Sequence, residues 1–355
     1  MRAFGFLSFG NYGDVPGSRT RTAGDMLRQT IELAEAADEI GVNGAYVRVH
    51  HFAQQAASPF PVLAAMAART SRIEVGTGVI DMRYENPFQL AEEAAALDLI
   101  ADGRIALGVS RGSPETSVRG YETFGFVGSE DPRGADLARA KFDLFLRVID
   151  GEEFAQADPQ MGGVGRLAIE PRSATLREHM WWGAGTRDSA EQVGRMGLNL
   201  MSSTLLTETT GQAFADLQAE QIDRFRQAYR EAGHRGSPRV SVSRSVFPIL
   251  TEQDELYFGR RDQHDQIGMI DGFRSTFGKT YADTPDRLID MLREDAAVMA
   301  ADTLMLTIPN QLGVDYNRHV LQGFAEHVAP ALGWRPNWEG PVVGDPVGEP
   351  VASGA

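Results

Sequence analysis

The sequence predicts an α/β protein built as a (β/α)8 barrel, or TIM barrel, with extended loops at its C-terminal mouth. Short apolar runs alternate with longer helical patterns eight times along residues 1–335, without a break in composition. The longest connections are residues 112–134, 151–179, 203–211 and 251–283. They follow or adjoin the C-terminal ends of predicted strands, where barrel active sites are built. An open doubly wound sheet is the alternative, which the count of eight strands disfavours.

Local signals place the individual elements. The first helical pattern has one apolar face and ends at Gly41, a residue suited to the left-handed position after a helix. Asn86 as N-cap and Pro87 at the first helical position begin another helix. Asp188 with Glu191 resembles a capping box for a later one. The predicted strands are residues 3–9, 44–49, 73–79, 105–109, 180–183, 198–202, 239–250 and 302–307.

Composition excludes several classes of protein. The chain has 355 residues, with 49 acidic and 34 basic side chains and a formal net charge of −15. This charge disfavours binding to nucleic acid or to an anionic membrane surface, because both need clustered Lys and Arg. Without cysteine there are no disulfides and no thiolate chemistry. We expect a soluble cytoplasmic protein with one folded domain over residues 1–335 and a disordered tail, rich in Gly, Pro and Val, over residues 336–355.

Two adjacent histidines, His50 and His51, end the second predicted strand. Neighbouring strand residues point to opposite faces, so only one imidazole can face the barrel mouth. This spacing argues against a two-metal hydrolase, and the sequence predicts no metal site. Two interpretations stay open for the histidine at the mouth: a packed, hydrogen-bonded side chain, or an acid/base group.

Two loops carry groups suited to an anion. Arg111 follows the fourth strand in the sequence GVSRG and offers a planar guanidinium to phosphate or carboxylate. Residues 183–189, GAGTRDS, join the fifth strand to a helix N-terminus, with hydroxyls beside exposed N–H groups. The structural alternatives are a surface ion pair for Arg111 and an ordinary capped turn for residues 183–189.

A polar loop with two carboxylates, Asp81 and Glu85, follows the third predicted strand. A pair of carboxylates is the machinery of a glycoside hydrolase, so a barrel hydrolase is a remote alternative function. A solvated loop is the structural explanation of the same residues.

Several segments together resemble the flavin-dependent, bacterial luciferase-like monooxygenase family. They are residues 86–98 (NPFQLAEEAAALD), residues 103–112 (GRIALGVSRG), residues 73–79 (IEVGTGV) and the His-His-Phe sequence that begins at His50. The resemblance covers about residues 3–334, and the first two segments are specific in combination. The fold of this family is a (β/α)8 barrel, in agreement with the strand count.

The resemblance implies a site for FMN at the C-terminal mouth. Arg111 and the small-residue turn after the fifth strand would hold the phosphate, and the end of the third strand would lie beside the isoalloxazine ring. A cis peptide bond is expected at Gly78–Val79. The implied cofactor-binding residues are Thr77, Gly78, Ser110, Arg111, Gly185, Thr186 and Ser189.

The same resemblance implies that His50 is the acid/base residue and places Arg83, Tyr84 and Glu85 on the substrate side. One position departs from the family pattern, because Val49 stands where the family has a glutamate. Aldehyde chemistry of the luciferase type is therefore in doubt, and light emission is not predicted.

The implied function is an FMN-dependent monooxygenase that oxidises a small organic substrate with reduced flavin and O2. A separate NAD(P)H:flavin reductase would supply the reduced flavin, and the family is commonly dimeric. Two alternatives stay open at this point: a deazaflavin-dependent oxidoreductase of the same family, and a non-catalytic flavin-binding protein.

Overall fold

Eight parallel strands form a closed barrel in this computed structural model, which describes residues 1–112, 116–208, 210–259, 264–270 and 273–341. The sheet closes because Val240 pairs with Leu200 and Ala3 pairs with Thr303. The predicted barrel is confirmed, and closure excludes the open doubly wound sheet. The strands are β1 (Ala3–Ser8), β2 (Gly44–Val47), β3 (Glu74–Asp81), β4 (Ile105–Ser110), β5 (Met180–Ala184), β6 (Asn199–Ser202), β7 (Val240–Pro248) and β8 (Thr303–Ile308).

Helices cover the outside of the barrel and bury their apolar faces against the strands. The predicted ends of two helices are confirmed. Gly41 closes α1 at φ 88°, and Asn86 accepts hydrogen bonds from the N–H groups of Phe88 and Gln89 to begin α3. The α-helices of the described chain are α1 (Ala23–Ile40), α2 (Pro59–Arg69), α3 (Pro87–Ile100), α4 (Ala135–Ile149), α5 (Arg187–Met196), α6 (Phe214–Glu231), α7 (Glu252–Phe258), α8 (Pro285–Arg293), α9 (Ala296–Ala300) and α10 (Gly313–His327).

The predicted capping box of α5 is wrong by two residues. Thr186 is the N-cap, and its hydroxyl accepts a hydrogen bond from the N–H of Ser189. In turn, the Thr186 N–H donates to the Ser189 hydroxyl. Asp188 and Glu191 therefore lie inside the helix. A threonine followed three residues later by serine satisfies the same N–H groups as the expected acidic pair.

Short strands outside the barrel were not predicted. Strand Phe273–Phe277 pairs antiparallel with Gln266–Ile270 and with Leu205–Leu206, so the long connection after β7 returns to the loop after β6. Strand Thr280–Asp283 then pairs with the C-terminal half of β7. A two-stranded ribbon, Ala155–Gln156 with Arg166–Leu167, lies between α4 and β5. Strands this short give too few residues for periodicity to reveal.

The N-terminal end of the barrel is closed by a buried polar network. The Tyr46 hydroxyl donates to Glu74 Oε1 at 2.7 Å, and Arg239 Nη1 donates to Glu74 Oε2 at 2.6 Å. The fully buried Trp181 ring lies 4.8 Å from the Arg239 guanidinium. Side chains fill this end of the barrel, so the opposite end, where the strands finish, is the only end of the described barrel at which its large cavity opens.

Residues 336–341, assigned to the tail from the sequence, pack on the barrel. The N–H of Asn337 donates to the Gly41 carbonyl at 2.8 Å, and the Arg72 guanidinium lies 4.7 Å from the Trp338 ring. The predicted disorder of residues 342–355 falls outside the described residues. Among those described, no helix has the length and apolar character needed to cross a bilayer.

Candidate functional site

A cavity of about 580 Å³ opens at the C-terminal ends of the barrel strands. Its volume lies within the range of roughly 300–1,000 Å³ that is usual for small-molecule and cofactor sites. Its walls combine apolar side chains with arginines and hydroxyls. Apart from the substrate-side group, seven of the eight predicted binding and catalytic residues line it: His50, Gly78, Ser110, Arg111, Gly185, Thr186 and Ser189.

Arg111 lies at the end of β4 with its guanidinium on the cavity wall. Within the described chain no hydrogen bond joins this guanidinium to another residue. Burial, followed by the like charges of Arg133 and Arg83, lowers the pKa of Arg111. A partly desolvated cation among other cations gains most from an anion bound in the cavity.

The loop that carries Arg111 is shaped by its neighbours. Gly112 has φ 88°, and a Cβ at this position would come within 2.0 Å of Asp81 Oδ2. The N–H of Gly112 donates to the Ser110 hydroxyl at 2.8 Å. Only glycine allows the chain to turn this closely over Asp81, so the GVSRG sequence fixes the direction of Arg111.

Asp81 and Arg83 form a buried ion pair under this loop. Arg83 Nε donates to Asp81 Oδ1 at 2.9 Å, and its Nη1 donates to the Arg133 carbonyl at 3.0 Å. The pair places Arg133 beside Arg111, and the Arg133 side chain lines the cavity. Arg133 therefore joins Arg111 on this wall of the cavity, where the sequence predicted one arginine.

The turn after β5 borders the cavity, but its groups are largely occupied within the chain. The Thr186 and Ser189 hydroxyls lie 2.9 Å apart, and Ser189 also donates to the Thr186 carbonyl at 2.8 Å. The N–H of Arg187 donates to Glu208 at 3.0 Å. Gly185, which has no side chain, leaves this wall open. The turn can approach a phosphate, while the strongest free donor nearby is Arg111.

The end of β3 forms another wall. The peptide bond Gly78–Val79 is cis, as the family resemblance implied, and both residues line the cavity. Thr77, predicted as a flavin contact, does not line it. Its side chain is fully buried, and its hydroxyl donates to the Gly108 carbonyl at 2.7 Å. Of the predicted pair, only Gly78 lies where a planar ring could contact it.

The two histidines point to different surroundings, as predicted, but the predicted cause is wrong. Strand β2 ends at Val47, so both histidines lie beyond it and alternation along a strand does not separate them. His50 lines the cavity, whereas the His51 ring stacks on Tyr84 with 4.1 Å between ring centres. Burial lowers the pKa of His50 from 6.5 to about 4, with smaller contributions from Arg48, His51 and Arg83. His50 is therefore a neutral imidazole at neutral pH and can accept a proton.

The predicted substrate-side residues lie outside the cavity lining. Arg83 is held by Asp81, and Tyr84 packs between His51 and Phe124. Burial raises the pKa of Glu85 to about 7. These side chains support the wall behind Asp81 and Arg111, so a direct contact of any of them with substrate has no support in the geometry.

Several cavity residues were missed from the sequence. Arg48 and Phe9 line it at the ends of β2 and β1, and Met305 lines it from β8. Trp182 also reaches the cavity and packs on Phe142 with 4.6 Å between ring centres. Hydroxyls follow β6, at Ser203, Thr204 and Thr207. Their position after successive strands is the signal that could have identified them.

The fold and cavity define a barrel protein with a partly buried arginine, a glycine-lined wall and a neutral histidine in one pocket. The luciferase-like monooxygenase family model matches residues 1–287. The chain belongs to this family of oxidoreductases.

Curated relatives match part of the chain. A 4-hydroxyprotoasukamycin monooxygenase of Streptomyces nodosus subsp. asukaensis is 32% identical over 149 residues, 41% of this chain and 38% of the relative. The oxygenase component of a flavin-dependent trigonelline monooxygenase of Acinetobacter baylyi is 33% identical over 98 residues, 27% of each chain. The chain thus spans well under half the length of these relatives.

Solved structures match nearly the whole chain at low identity and show the fold. A monooxygenase from Streptomyces bottropensis has a TM-score of 0.70 at 21% identity and covers 92% of this chain and 99% of its own. The oxygenating constituent of 3,6-diketocamphane monooxygenase of Pseudomonas putida, in complex with FMN, has a TM-score of 0.64 at 15% identity, covering 93% and 98%. The coenzyme F420-dependent tetrahydromethanopterin reductase of Methanopyrus kandleri has a TM-score of 0.61 at 14% identity, covering 93% and 99%.

Proposed function

We propose that the protein is an FMN-dependent monooxygenase that uses reduced flavin and O2 to oxidise a small organic substrate. The observation that carries the proposal is that one cavity contains Arg111, Gly78 and His50. Arg111 would hold the phosphate of the cofactor, and Gly78 would contact its planar ring. The names of the relatives, which are monooxygenases and flavin-dependent oxygenase components, support the same function.

The residues fit a flavin nucleotide. Arg111 supplies a partly desolvated cation for a phosphate, with Arg133 beside it. Ser110 has a hydroxyl on the same wall, and Gly185 with Thr186 leaves room beside the first turn of α5. FMN, when bound and reduced, would supply the activation of O2 that the side chains themselves cannot perform.

The protein residues would orient, protect and move protons. Trp182, Phe142 and Met201 give the cavity an apolar wall that excludes water from the reacting groups. His50 is neutral because burial lowers its pKa, so a ring nitrogen of His50 would take a proton from substrate. Val49, an apolar residue that lines the cavity beside it, supplies no carboxylate to hold a charged imidazole.

The proposal includes the other molecules that such an enzyme requires. A separate NAD(P)H:flavin reductase would deliver the reduced cofactor, as the name "oxygenase component" suggests for the Acinetobacter baylyi relative. We also propose a cytoplasmic homodimer, which light scattering during gel filtration would test.

Titration of the purified protein with FMN tests the proposed cofactor. We expect saturable quenching of flavin fluorescence with one FMN per chain, and substrate-dependent O2 consumption when a flavin reductase and NADH are added. Absence of FMN binding would refute the proposed function. FMN binding without accelerated reoxidation by any substrate would instead favour a non-catalytic flavin-binding protein.

A deazaflavin-dependent oxidoreductase is the second candidate. The structural match to an F420-dependent reductase is one support for it. Another is the position of Arg139 and Arg195 on the cavity lining, where they extend positive charge beyond Arg111. A parallel titration with coenzyme F420 separates the two candidates, because tight binding of F420 with no binding of FMN selects the second.

A further inference from the structure

Gln221 lies on α6, behind the turn that joins β5 to α5. Its side chain is buried, with 1% of the residue exposed. Its Nε2 donates to the Ala184 carbonyl at 3.2 Å and to the Thr186 carbonyl at 3.0 Å. A side-chain amide has two N–H donors, and here both go to the turn on which Gly185 and Thr186 border the cavity. Gln221 thus holds part of the cavity wall from behind.

The Ser202 hydroxyl fixes which way round the Gln221 amide lies. This hydroxyl accepts a hydrogen bond from Gln218 Nε2 at 2.7 Å and donates to Gln221 Oε1. A hydroxyl has one proton to donate, so the oxygen of Gln221 faces Ser202 and the nitrogen faces the turn. The reverse orientation would set the amide oxygen against two carbonyl oxygens.

The carbonyl groups of residues 184–186 all point to donors of the protein. Besides the bonds described above, the Ser203 N–H donates to the Ala184 carbonyl at 3.0 Å, and the Thr207 N–H donates to the Gly185 carbonyl at 3.2 Å. A carbonyl oxygen turned into the cavity would repel a phosphate, because both carry negative charge. These hydrogen bonds therefore keep this wall suited to an anion.

The N–H of Gly185 points to the side of the cavity where Arg111 lies. Strand β5 lies between β4 and β6, and the Ala184 carbonyl faces β6 through its bond to Ser203. The peptide bond that follows is trans, so the Gly185 N–H points the opposite way, towards the β4 side that carries Arg111. Within the described residues this N–H has no hydrogen-bond partner.

Among the described residues, none crowds position 185 enough to require glycine. A Cβ there would meet only the Leu205 carbonyl oxygen within 4 Å, at an ordinary contact distance of 3.7 Å. Gly185 also does not have a left-handed φ. What the missing side chain provides is access, because an anion can approach the backbone N–H closely.

We propose that Gln221 is a positioning residue for the phosphate of FMN. It holds the carbonyls of the turn away from the cavity, so that the Gly185 N–H and the Arg111 guanidinium bind the phosphate together. The inference rests on the proposed function and adds the residue that sets the preference for a phosphorylated flavin. Gln221 itself does not contact the cofactor.

Titrations with FMN and with riboflavin test this role, because riboflavin lacks only the phosphate. We expect the unaltered protein to bind FMN at least about a hundredfold more tightly than riboflavin, since two charge-assisted contacts are each worth about tenfold. Gln221→Met removes the N–H donors, and Gln221→Glu replaces the nitrogen with oxygen. Each should lower the preference for FMN about tenfold and change riboflavin affinity less than about twofold.

The matched control is Gln218→Met. Gln218 is also on α6 and fully buried, but it donates to Ser202 and to the Ser203 carbonyl instead of to the turn. This variant should keep the preference for FMN. Gly185→Ala should unfold at an unchanged temperature and yet lower the preference, because its methyl group blocks the approach to the N–H. It keeps the test decisive if a Gln221 variant fails to fold.

The pattern of outcomes separates this inference from the proposed function. If the Gln221 variants keep the preference for FMN, or if Gln218→Met lowers it as much, the inference is wrong while the proposed function stands. Equal losses of FMN and riboflavin affinity in the Gln221 variants, or an unchanged preference in Gly185→Ala, would also overturn it. Failure of the unaltered protein to bind FMN would refute both.

Discussion

Arg111 shows how one side chain can carry most of the affinity of a site. Its guanidinium has cationic neighbours and makes no hydrogen bond to another described residue. We expect Arg111→Ala to weaken FMN binding at least about tenfold, equivalent to about 1.4 kcal/mol. Fluorescence titration measures this change. Arg139→Ala, which removes an exposed arginine from the same cavity, is the matched control and should leave the dissociation constant nearly unchanged. An unaltered affinity in Arg111→Ala would exclude Arg111 from the phosphate site.

His50 and His51 offer a test in which the control lies in the next residue. His50 lines the cavity, and His51 stacks on Tyr84 away from it. We expect His50→Gln to bind FMN normally but to lower kcat at least about tenfold, within the usual contribution of a general base. His51→Phe keeps an aromatic ring against Tyr84 and should retain turnover. Stopped-flow measurements with reduced flavin would compare them, and equal turnover in all three proteins would make His50 a structural residue.

Individual residues were predicted well where their interactions lie within a few residues along the chain. Gly41 and Asn86 act as helix caps through contacts within a few residues, so sequence spacing identifies them. Thr77 was misplaced because its hydroxyl is bound to the Gly108 carbonyl of the neighbouring strand. Arg48 was missed because its position on the cavity wall involves a contact with the Phe9 ring, which is distant in sequence. Contacts across the barrel depend on the closed fold and have no local signature.

The first turn of α5 both begins a helix and borders the cavity. Thr186 caps the helix through the N–H of Ser189 and borders the cavity. We expect Thr186→Ala to lower the free energy of unfolding by about 1 kcal/mol, the usual cost of losing an N-cap. Thr186→Ser keeps the capping hydroxyl and should cost much less. Urea denaturation followed by circular dichroism measures both changes, and equal stability of the alanine variant and the unaltered protein would contradict the capping role.

At the level of elements, the barrel strands were predictable and the additions to them were not. Strands such as β1 and β4 are short runs of mainly apolar residues that are buried on both sides, as parallel strands are. Helix α2 begins with Pro59 and Pro61, and six of its eleven residues are alanine or proline, which weakens the contrast between its apolar and polar faces. The hairpin of Gln266–Ile270 and Phe273–Phe277 obtains its partner, Leu205–Leu206, from a remote loop. Long connections acquire structure from tertiary pairing, which a linear pattern does not record.

At the level of the whole molecule, function depends on the difference between the two ends of the barrel. The N-terminal end is filled by Trp181 and the Tyr46–Glu74–Arg239 network. The other end has a cavity of about 580 Å³, and its walls carry arginines and the partly buried, neutral His50. Buried polar groups at a functional site lower the stability of the fold. We therefore expect the residues at the cavity end to contribute most to the pH dependence of the free energy of unfolding.

The buried histidines make a specific contribution to acid sensitivity. Burial lowers the pKa values of His50 and His51 from 6.5 to about 4, so both are neutral in the folded protein over a range in which the unfolded chain is protonated. The unfolded state then binds more protons as the pH falls from about 6.5 to about 4, and stability is lost across that window. Carboxylates titrate below about pH 5 in both proteins, so a comparison with a variant that lacks the two histidines isolates their contribution. We expect the double variant His50→Gln, His51→Phe to lose less stability than the unaltered protein between pH 7 and pH 5, measured by urea denaturation at each pH. Parallel stability curves for the two proteins would show that neither histidine is held neutral by the fold.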